Sequence, residues 1–116
     1  MQRYCTFCEI VTGQEPAHVL YDSERVMVFR NVLRWVPVML LAIPKRHMTQ
    51  QELWESELLA EVGRVASEMG RQYCPAGYRL VSNAGPDAKQ SQPHAHIHVL
   101  GGVFLGDYIG GFVGWG

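Results

Sequence analysis

The sequence lacks long hydrophobic runs, internal repeats and an excess of charge of either sign. No apolar stretch approaches the roughly 20 residues that a helix needs to cross a bilayer, so we predict no membrane span. The first ten residues, MQRYCTFCEI, lack the charged-then-apolar layout of a signal peptide, and we expect a cytoplasmic protein. Ten basic and eleven acidic residues give a formal net charge of −1, which disfavours binding to nucleic acid.

The length and composition are those of one small globular domain. The chain has 116 residues, of which 47% are hydrophobic and 18% charged. A chain of this size buries enough apolar surface to fold without disulfides, and no Pro/Ser-rich linker divides it. We therefore predict a single domain over residues 1–116, with a Gly-rich C-terminal tail over about residues 101–116.

Cysteine is scarce, and its spacing is informative. The three cysteines form an odd number, which does not suit a disulfide framework. Cys5 and Cys8 are separated by two residues, a spacing typical of a metal site, a reduced dithiol or a redox pair. Cys74 stands alone, and we expect it to be buried as a small hydrophobic residue.

The first half of the chain predicts a short helix followed by three strands. Residues 7–11 form a helix that Gly13 ends, and residues 18–21 and 25–30 form a hairpin around a polar turn. Residues 38–43 (VMLLAI) are a continuous apolar run that Pro44 stops. Such a run is typical of a strand buried on both faces, so we place it at the centre of the sheet.

The second half predicts one long helix and two more strands. Thr49 to Glu52 match a capping box, and apolar residues then recur at helical spacing as far as Gly70. Residues 78–83 and 94–100 complete the strands. The sum is an α+β domain with a mainly antiparallel sheet of about five strands, one long helix and a short N-terminal helix.

Three histidines alternate with apolar residues in the last predicted strand. His94, His96 and His98 are separated by Ala95 and Ile97, so all three imidazoles should lie on one face of the sheet. Two kinds of chemistry suit such a row, a metal site and a nucleophilic or acid–base site. A barrel oxygenase built on His-x-His also needs a carboxylate downstream, and only one follows here. The metal-oxygenase interpretation is therefore weak.

The residues around this row resemble the signature of the histidine triad (HIT) family. Residues 83–100, NAGPDAKQSQPHAHIHVL, match an Asn, a loop with Gln-Ser, and then three histidines alternating with apolar residues. Residues 43–47, IPKRH, also resemble the family's Ile-Pro-Lys-x-His motif. The resemblance extends from Cys5 to about Gly102.

The resemblance implies a hydrolase that cleaves nucleotides in two steps. His96 would attack the α-phosphorus and form a nucleotidyl-histidine intermediate, which water then hydrolyses. His98 would donate a hydrogen bond to the phosphate oxygens, and Ser91 would assist the leaving group. Asn83 and Gln90 resemble the polar residues that hold phosphate and leaving group in place. This chemistry requires no catalytic metal.

The resemblance also implies a structural zinc site. Some bacterial members that begin with a similar Cys-x-Phe-Cys bind zinc through both thiolates, the histidine of Ile-Pro-Lys-x-His and the first triad histidine. The corresponding residues here are Cys5, Cys8, His47 and His94. Four such ligands would form a closed tetrahedral site that stabilises the fold and leaves no position for a reacting water.

The residues that would line the base and ribose pocket come from the N-terminal segment and the second strand. By resemblance they are Phe7, Ile10, Phe29, Asn31 and Val32. The family usually has an aspartate in place of Asn31, and its two oxygens accept hydrogen bonds from the ribose hydroxyls. An asparagine offers one acceptor and one donor group, so ribose affinity or orientation should differ.

Four further positions depart from the family pattern. Lys89 stands where glycine is common, Gln92 and Pro93 replace a mostly apolar pair, and Met39 replaces a usual histidine. A lysine is strained if position 89 needs a positive φ, although its ammonium group would suit a phosphate.

The sequence leaves several functions open. The segment after the triad and Trp115 resemble the branch that cleaves purine nucleoside phosphoramidates, in which the protein is a homodimer. A dinucleoside polyphosphate hydrolase would use the same nucleophile with a different leaving group. A zinc-stabilised nucleotide-binding module without turnover and a redox protein using Cys5 and Cys8 are the rivals from other classes.

Overall fold

The computed structural model describes residues 4–107. The predicted Gly-rich tail lies outside the described residues from position 108 onward, as does Trp115. Within residues 4–107 no helix is both long enough and apolar enough to cross a membrane.

The described chain folds into three α-helices, one short 3₁₀ turn and five strands. The helices are α1 (Thr6–Val11), α2 (Gln50–Trp54) and α3 (Leu58–Tyr73), and the 3₁₀ turn covers Pro86–Ala88. The strands are β1 (Val19–Asp22), β2 (Val26–Arg30), β3 (Val38–Pro44), β4 (Tyr78–Val81) and β5 (Ile97–Gly101).

The strands form one sheet in the order β1-β2-β3-β5-β4, and every neighbouring pair is antiparallel. The predicted α+β fold with a five-stranded antiparallel sheet is therefore confirmed. The central strand is β3, as its continuous apolar run indicates, and it is buried along almost its whole length. The two ends of the sheet are β1 and β4.

The sheet has a different cover on each face, because alternate side chains of a strand point in opposite directions. On one face, buried residues of β2, β3 and β5 pack against α3. On the other face, Phe7 of α1 packs against Met27, Phe29, Leu41 and Ile43. The histidine row lies on this second face, because its intervening neighbours Ala95, Ile97 and Val99 belong to the core beneath α3.

The long helix begins later than predicted. The capping box is present, with Thr49 as N-cap, but α2 ends after five residues and α3 starts at Leu58. Between them the hydroxyl of Ser56 accepts a hydrogen bond from the backbone N–H of Leu58 at 2.8 Å. Serine competes in this way with the helical hydrogen bonds of the backbone, which explains the break.

The long helix also continues beyond the predicted stop at Gly70. This glycine lies inside α3 because the ring of Tyr78 packs directly on its Cα, where a Cβ would collide with the ring. Gly70 therefore permits a close approach between α3 and β4 and does not end the helix.

Candidate functional site

The histidine row lies at the start of β5 and just before it. Strand pairing begins at Ile97, so His94 and His96 are in the segment that leads into the strand, and His98 is inside it. The Phe7 ring meets the rings of His94 and His96 edge-on, at centroid distances of 5.7 and 5.5 Å. The ring of His98 lies 5.0 Å from that of His96. α1 thus covers one side of the row.

The hydrogen bonds of His96 determine which ring nitrogen is free. Its Nδ1 lies 2.8 Å from the backbone carbonyl oxygen of His94, and a carbonyl only accepts, so Nδ1 carries the proton and donates it. The lone pair is therefore on Nε2. Within residues 4–107 the Nε2 makes no hydrogen bond, and His96 as a whole is 1% exposed.

Burial keeps the row neutral. Desolvation lowers the pKa of His96, and the hydrogen bond to the His94 carbonyl opposes this effect only in part. The pKa of His98 falls to about 4, through desolvation and then through the nearby His96. At neutral pH His98 can therefore donate a hydrogen bond as a neutral imidazole, and His96 keeps its lone pair.

Sequence reasoning missed one residue at this site, Gln50. Its side chain is buried, and its amide bonds to the backbone N–H and C=O of His96 and to the carbonyl of Asn83. Its neighbour Gln51 has the same side chain but is exposed and bonds to Glu55 on the same helix. No signal in the sequence distinguishes the two glutamines, because the difference arises from tertiary contacts.

The loop between β4 and β5 is held by the side chain of Gln90. Its Oε1 accepts from the N–H of Gly85 at 2.8 Å, and its Nε2 donates to the carbonyl of Gln92 at 2.9 Å. The resemblance predicts that the Gln90 amide binds phosphate, but both its oxygen and its nitrogen form hydrogen bonds within the loop. Ser91 is exposed, and its hydroxyl makes no hydrogen bond to the described residues. Lys89 adopts a φ of 60°, the left-handed conformation in which a side chain is strained.

The predicted pocket residues lie in two places. Phe7 and Phe29 are buried with their ring centroids 5.4 Å apart, and Ile10 packs against the same cluster. Val32 is 92% exposed, so the structure does not bring it into that cluster. The Oδ1 of Asn31 accepts the N–H of Leu33 at 3.0 Å, which uses its acceptor in a local turn. In the same region the Met39 sulfur accepts from the N–H of Trp35.

The predicted metal ligands form one compact cluster. The donor atoms of Cys5, Cys8, His47 and His94 all lie within 4.8 Å of one another. The His94 Nδ1 is 3.5 and 3.6 Å from the two sulfurs, and the His47 Nδ1 is 3.4 Å from the Cys8 sulfur. A zinc ion with ordinary Zn–S and Zn–N bond lengths and tetrahedral angles places sulfur and nitrogen about 3.5 Å apart. The cluster therefore fits zinc.

The surroundings of the cluster also suit a cation. The Nε2 of His94 donates to the carbonyl of Pro44 at 2.7 Å, which leaves its Nδ1 lone pair directed at the thiols. Burial and the neighbouring Cys5 raise the pKa of Cys8 to about 11, because two close thiols do not ionise easily without a positive charge between them. The described cysteines are all free thiols.

Comparison with known proteins identifies the family. The HIT domain profile matches residues 12–105. The chain belongs to the HIT domain family. A HIT-like protein of Chlamydia muridarum is 36% identical over 104 residues, which cover 86% of this chain and 82% of that protein. This match shows that the likeness extends over nearly the whole HIT domain.

Solved structures of other HIT proteins share the fold. A HIT family hydrolase from Clostridium thermocellum superimposes with a TM-score of 0.84 at 31% identity, covering 94% of this chain and 99% of that one. A Zn-bound histidine triad family protein from Mycobacterium smegmatis gives a TM-score of 0.78 at 27% identity, covering 91% and 79%. One HIT protein of this fold is therefore known with zinc.

Proposed function

We propose that this HIT domain protein cleaves a purine nucleoside phosphoramidate, or a related derivative of AMP, at the α-phosphate through a nucleotidyl-histidine intermediate on His96. The observation that carries the proposal is the hydrogen bond from the His96 Nδ1 to the His94 carbonyl. This bond leaves the Nε2 of a neutral imidazole unprotonated and without a hydrogen bond to the described residues, and a free lone pair is what a nitrogen nucleophile requires.

The reaction proceeds in two displacements. The Nε2 lone pair forms a bond to the α-phosphorus as the bond to the leaving group breaks. Ser91 donates a hydrogen bond to that group, which takes a proton from solvent and leaves as the amine. The imidazole now carries a positive charge, so its Nδ1–H bonds more strongly to the His94 carbonyl. His98 donates to the non-bridging phosphate oxygens, and Asn83 orients the phosphate. Water then attacks phosphorus as the bond to Nε2 breaks, which releases AMP, passes a proton to solvent and restores the neutral ring.

The test is to trap the intermediate. Purified protein is mixed with a fluorogenic adenosine phosphoramidate, quenched after less than one turnover with denaturant at alkaline pH, where the P–N bond of a nucleotidyl-histidine survives, and digested for mass spectrometry. We expect an adenylyl group on the peptide that contains His96, together with steady release of the fluorophore. No adduct and no turnover, with AMP still bound, would instead support a nucleotide-binding module. Faster cleavage of a dinucleoside polyphosphate would favour the alternative leaving group.

We also propose a structural zinc ion bound by Cys5, Cys8, His47 and His94. The sulfur–nitrogen separations of the cluster and the zinc-bound relative from Mycobacterium smegmatis support this proposal. When bound, zinc would stabilise the junction of α1 with the segment before β5. All four ligand positions would belong to the protein, so the ion would have no place for a reacting water.

Asn31→Asp is expected to strengthen nucleotide binding. One carboxylate oxygen would keep the hydrogen bond from the Leu33 N–H, and the other would be free to accept from a ribose hydroxyl. A hydrogen bond to a charged group contributes about 1.5–3 kcal/mol, so the Kd for AMP should fall roughly tenfold or more. Calorimetry with AMP and 2′,3′-dideoxy-AMP checks this. An equal gain for both ligands would contradict a contact to the ribose.

We propose that the protein is a homodimer through the open edge of β4. One side of this strand has no neighbour within the described sheet, and Leu80 and Trp54 are exposed beside it. Leu80→Lys should therefore give a monomer in light scattering at micromolar concentration. Val19→Lys is the matched control, because Val19 is also 40% exposed but lies on β1, at the opposite edge. Dissociation by both variants, or by neither, would contradict this interface.

A further inference from the structure

Gln50 is the first residue of α2, and it is 3% exposed. Its Oε1 accepts from the His96 N–H at 3.1 Å. Its Nε2 donates to the His96 carbonyl at 3.1 Å and to the Asn83 carbonyl at 3.0 Å. Both amide hydrogens and the oxygen are therefore paired with backbone groups of two residues that belong to the proposed active site.

The Gln50 amide lies just beyond the point at which strands β4 and β5 stop pairing. Strands β4 and β5 are paired as far as Val81 and His98. Continuing the same antiparallel register would place Asn83 opposite His96, two positions beyond that last pair. Gln50 bonds to both residues. Its side chain therefore bridges the two chains where the loop over residues 84–93 begins.

We infer that Gln50 is a positioning residue, which sets the place of the His96 backbone and its separation from Asn83. This inference rests on the proposed function, because it concerns the geometry of the same nucleophile. The imidazole of His96 reaches its substrate from a backbone that Gln50 binds through both N–H and C=O. Without this amide, the backbones of Asn83 and His96 are no longer joined, and the start of the loop is free to shift relative to His96.

The test separates the chemical step from binding. Gln50→Met keeps the shape of the side chain and removes all three hydrogen bonds, whereas Gln50→Glu keeps the acceptor and places a second oxygen against two carbonyls. Since a displacement of about 1 Å at a reacting group costs about 100-fold, we expect the rate of His96 adenylylation to fall by roughly that factor. The Kd for AMP should change by less than about threefold, because the interactions that bind the base and ribose remain.

Gln51→Met and Gln51→Glu are the matched controls, since they make the same changes one residue away on an exposed position. Rates are measured in single turnover, below the melting temperature of each variant, and are normalised to the fraction that binds AMP. If Gln50→Met does not fold, the adenylylation rate and the Kd for AMP of Gln50→Glu test the positioning role.

The outcomes distinguish the two proposals. An adduct in the wild type with unchanged adenylylation in the Gln50 variants overturns the positioning role alone. A parallel loss of AMP affinity and rate also overturns it, because that pattern indicates general damage to the structure. No adduct in the wild type overturns the proposed function, and the inference about Gln50 with it.

Discussion

His96→Ala is expected to abolish both turnover and the trapped adduct, with kcat lower by at least about 10⁴-fold. The reason is that His96 supplies the atom that bonds to phosphorus, and no other described side chain takes its position at the start of β5. Binding of AMP should persist, because base and ribose contact other residues. The measurement is steady-state hydrolysis of a fluorogenic adenosine phosphoramidate, combined with mass spectrometry of protein quenched at alkaline pH.

His18→Ala is the control for a general effect of losing a histidine. His18 is exposed and lies before β1, in a loop remote in sequence from the triad. The His18→Ala variant should retain full turnover and form the adduct on His96. Persistent hydrolysis in His96→Ala, or an adduct on another residue of the wild type, would show that the nucleophile has been assigned wrongly.

Much of the fold could be predicted from local patterns. The apolar run of residues 38–43 indicates a central strand because it has the length of a strand and no polar face, and β3 occupies that place. The alternation from His94 to His98 predicts which face each residue takes, and Ala95 and Ile97 do pack beneath α3. These features depend on periodicity, which neighbouring residues in the sequence determine.

The features that could not be predicted depend on which partner a side chain binds, whether that partner is near or far along the chain. Gln50 resembles any other residue of a capping box until α2 is placed against the segment before β5. The break at Ser56 depends on one hydroxyl bonding to a nearby backbone N–H and not to solvent. Gln90 fits a ligand-binding pattern, yet its amide is paired within its own loop. In each case the sequence gives the chemistry of the group but not its partner.

His94 connects the proposed zinc site to the proposed nucleophile. Its Nδ1 faces the thiols of Cys5 and Cys8, its Nε2 donates to the Pro44 carbonyl, and its own carbonyl accepts from the His96 ring. The first two contacts fix the orientation of the residue, and the third fixes the tautomer of the neighbouring histidine. A change in the metal cluster should therefore alter the position of His96 through the contacts of His94.

Cys8→Ser is expected to lose zinc and several kcal/mol of stability, a fall in Tm of roughly 10–20 °C. The serine hydroxyl is a poor zinc ligand, and without the ion the buried His94 and Cys5 face each other without a cation. Metal analysis of the purified wild type should give about one zinc per chain, and calorimetry should show the same fall after chelation. Cys74→Ala is the control, because Cys74 is buried outside the cluster.

The zinc-free protein should also lose turnover, because a His94 freed from its ligands holds the His96 tautomer less firmly. The adenylylation rate, measured below the melting temperature of the zinc-free protein, distinguishes this effect from unfolding. At a temperature where the zinc-free protein is still folded, adenylylation should already be slower, and added zinc should restore both Tm and rate. A wild type without zinc, or a Cys8→Ser variant with unchanged Tm, would show that the four residues pack together without a metal.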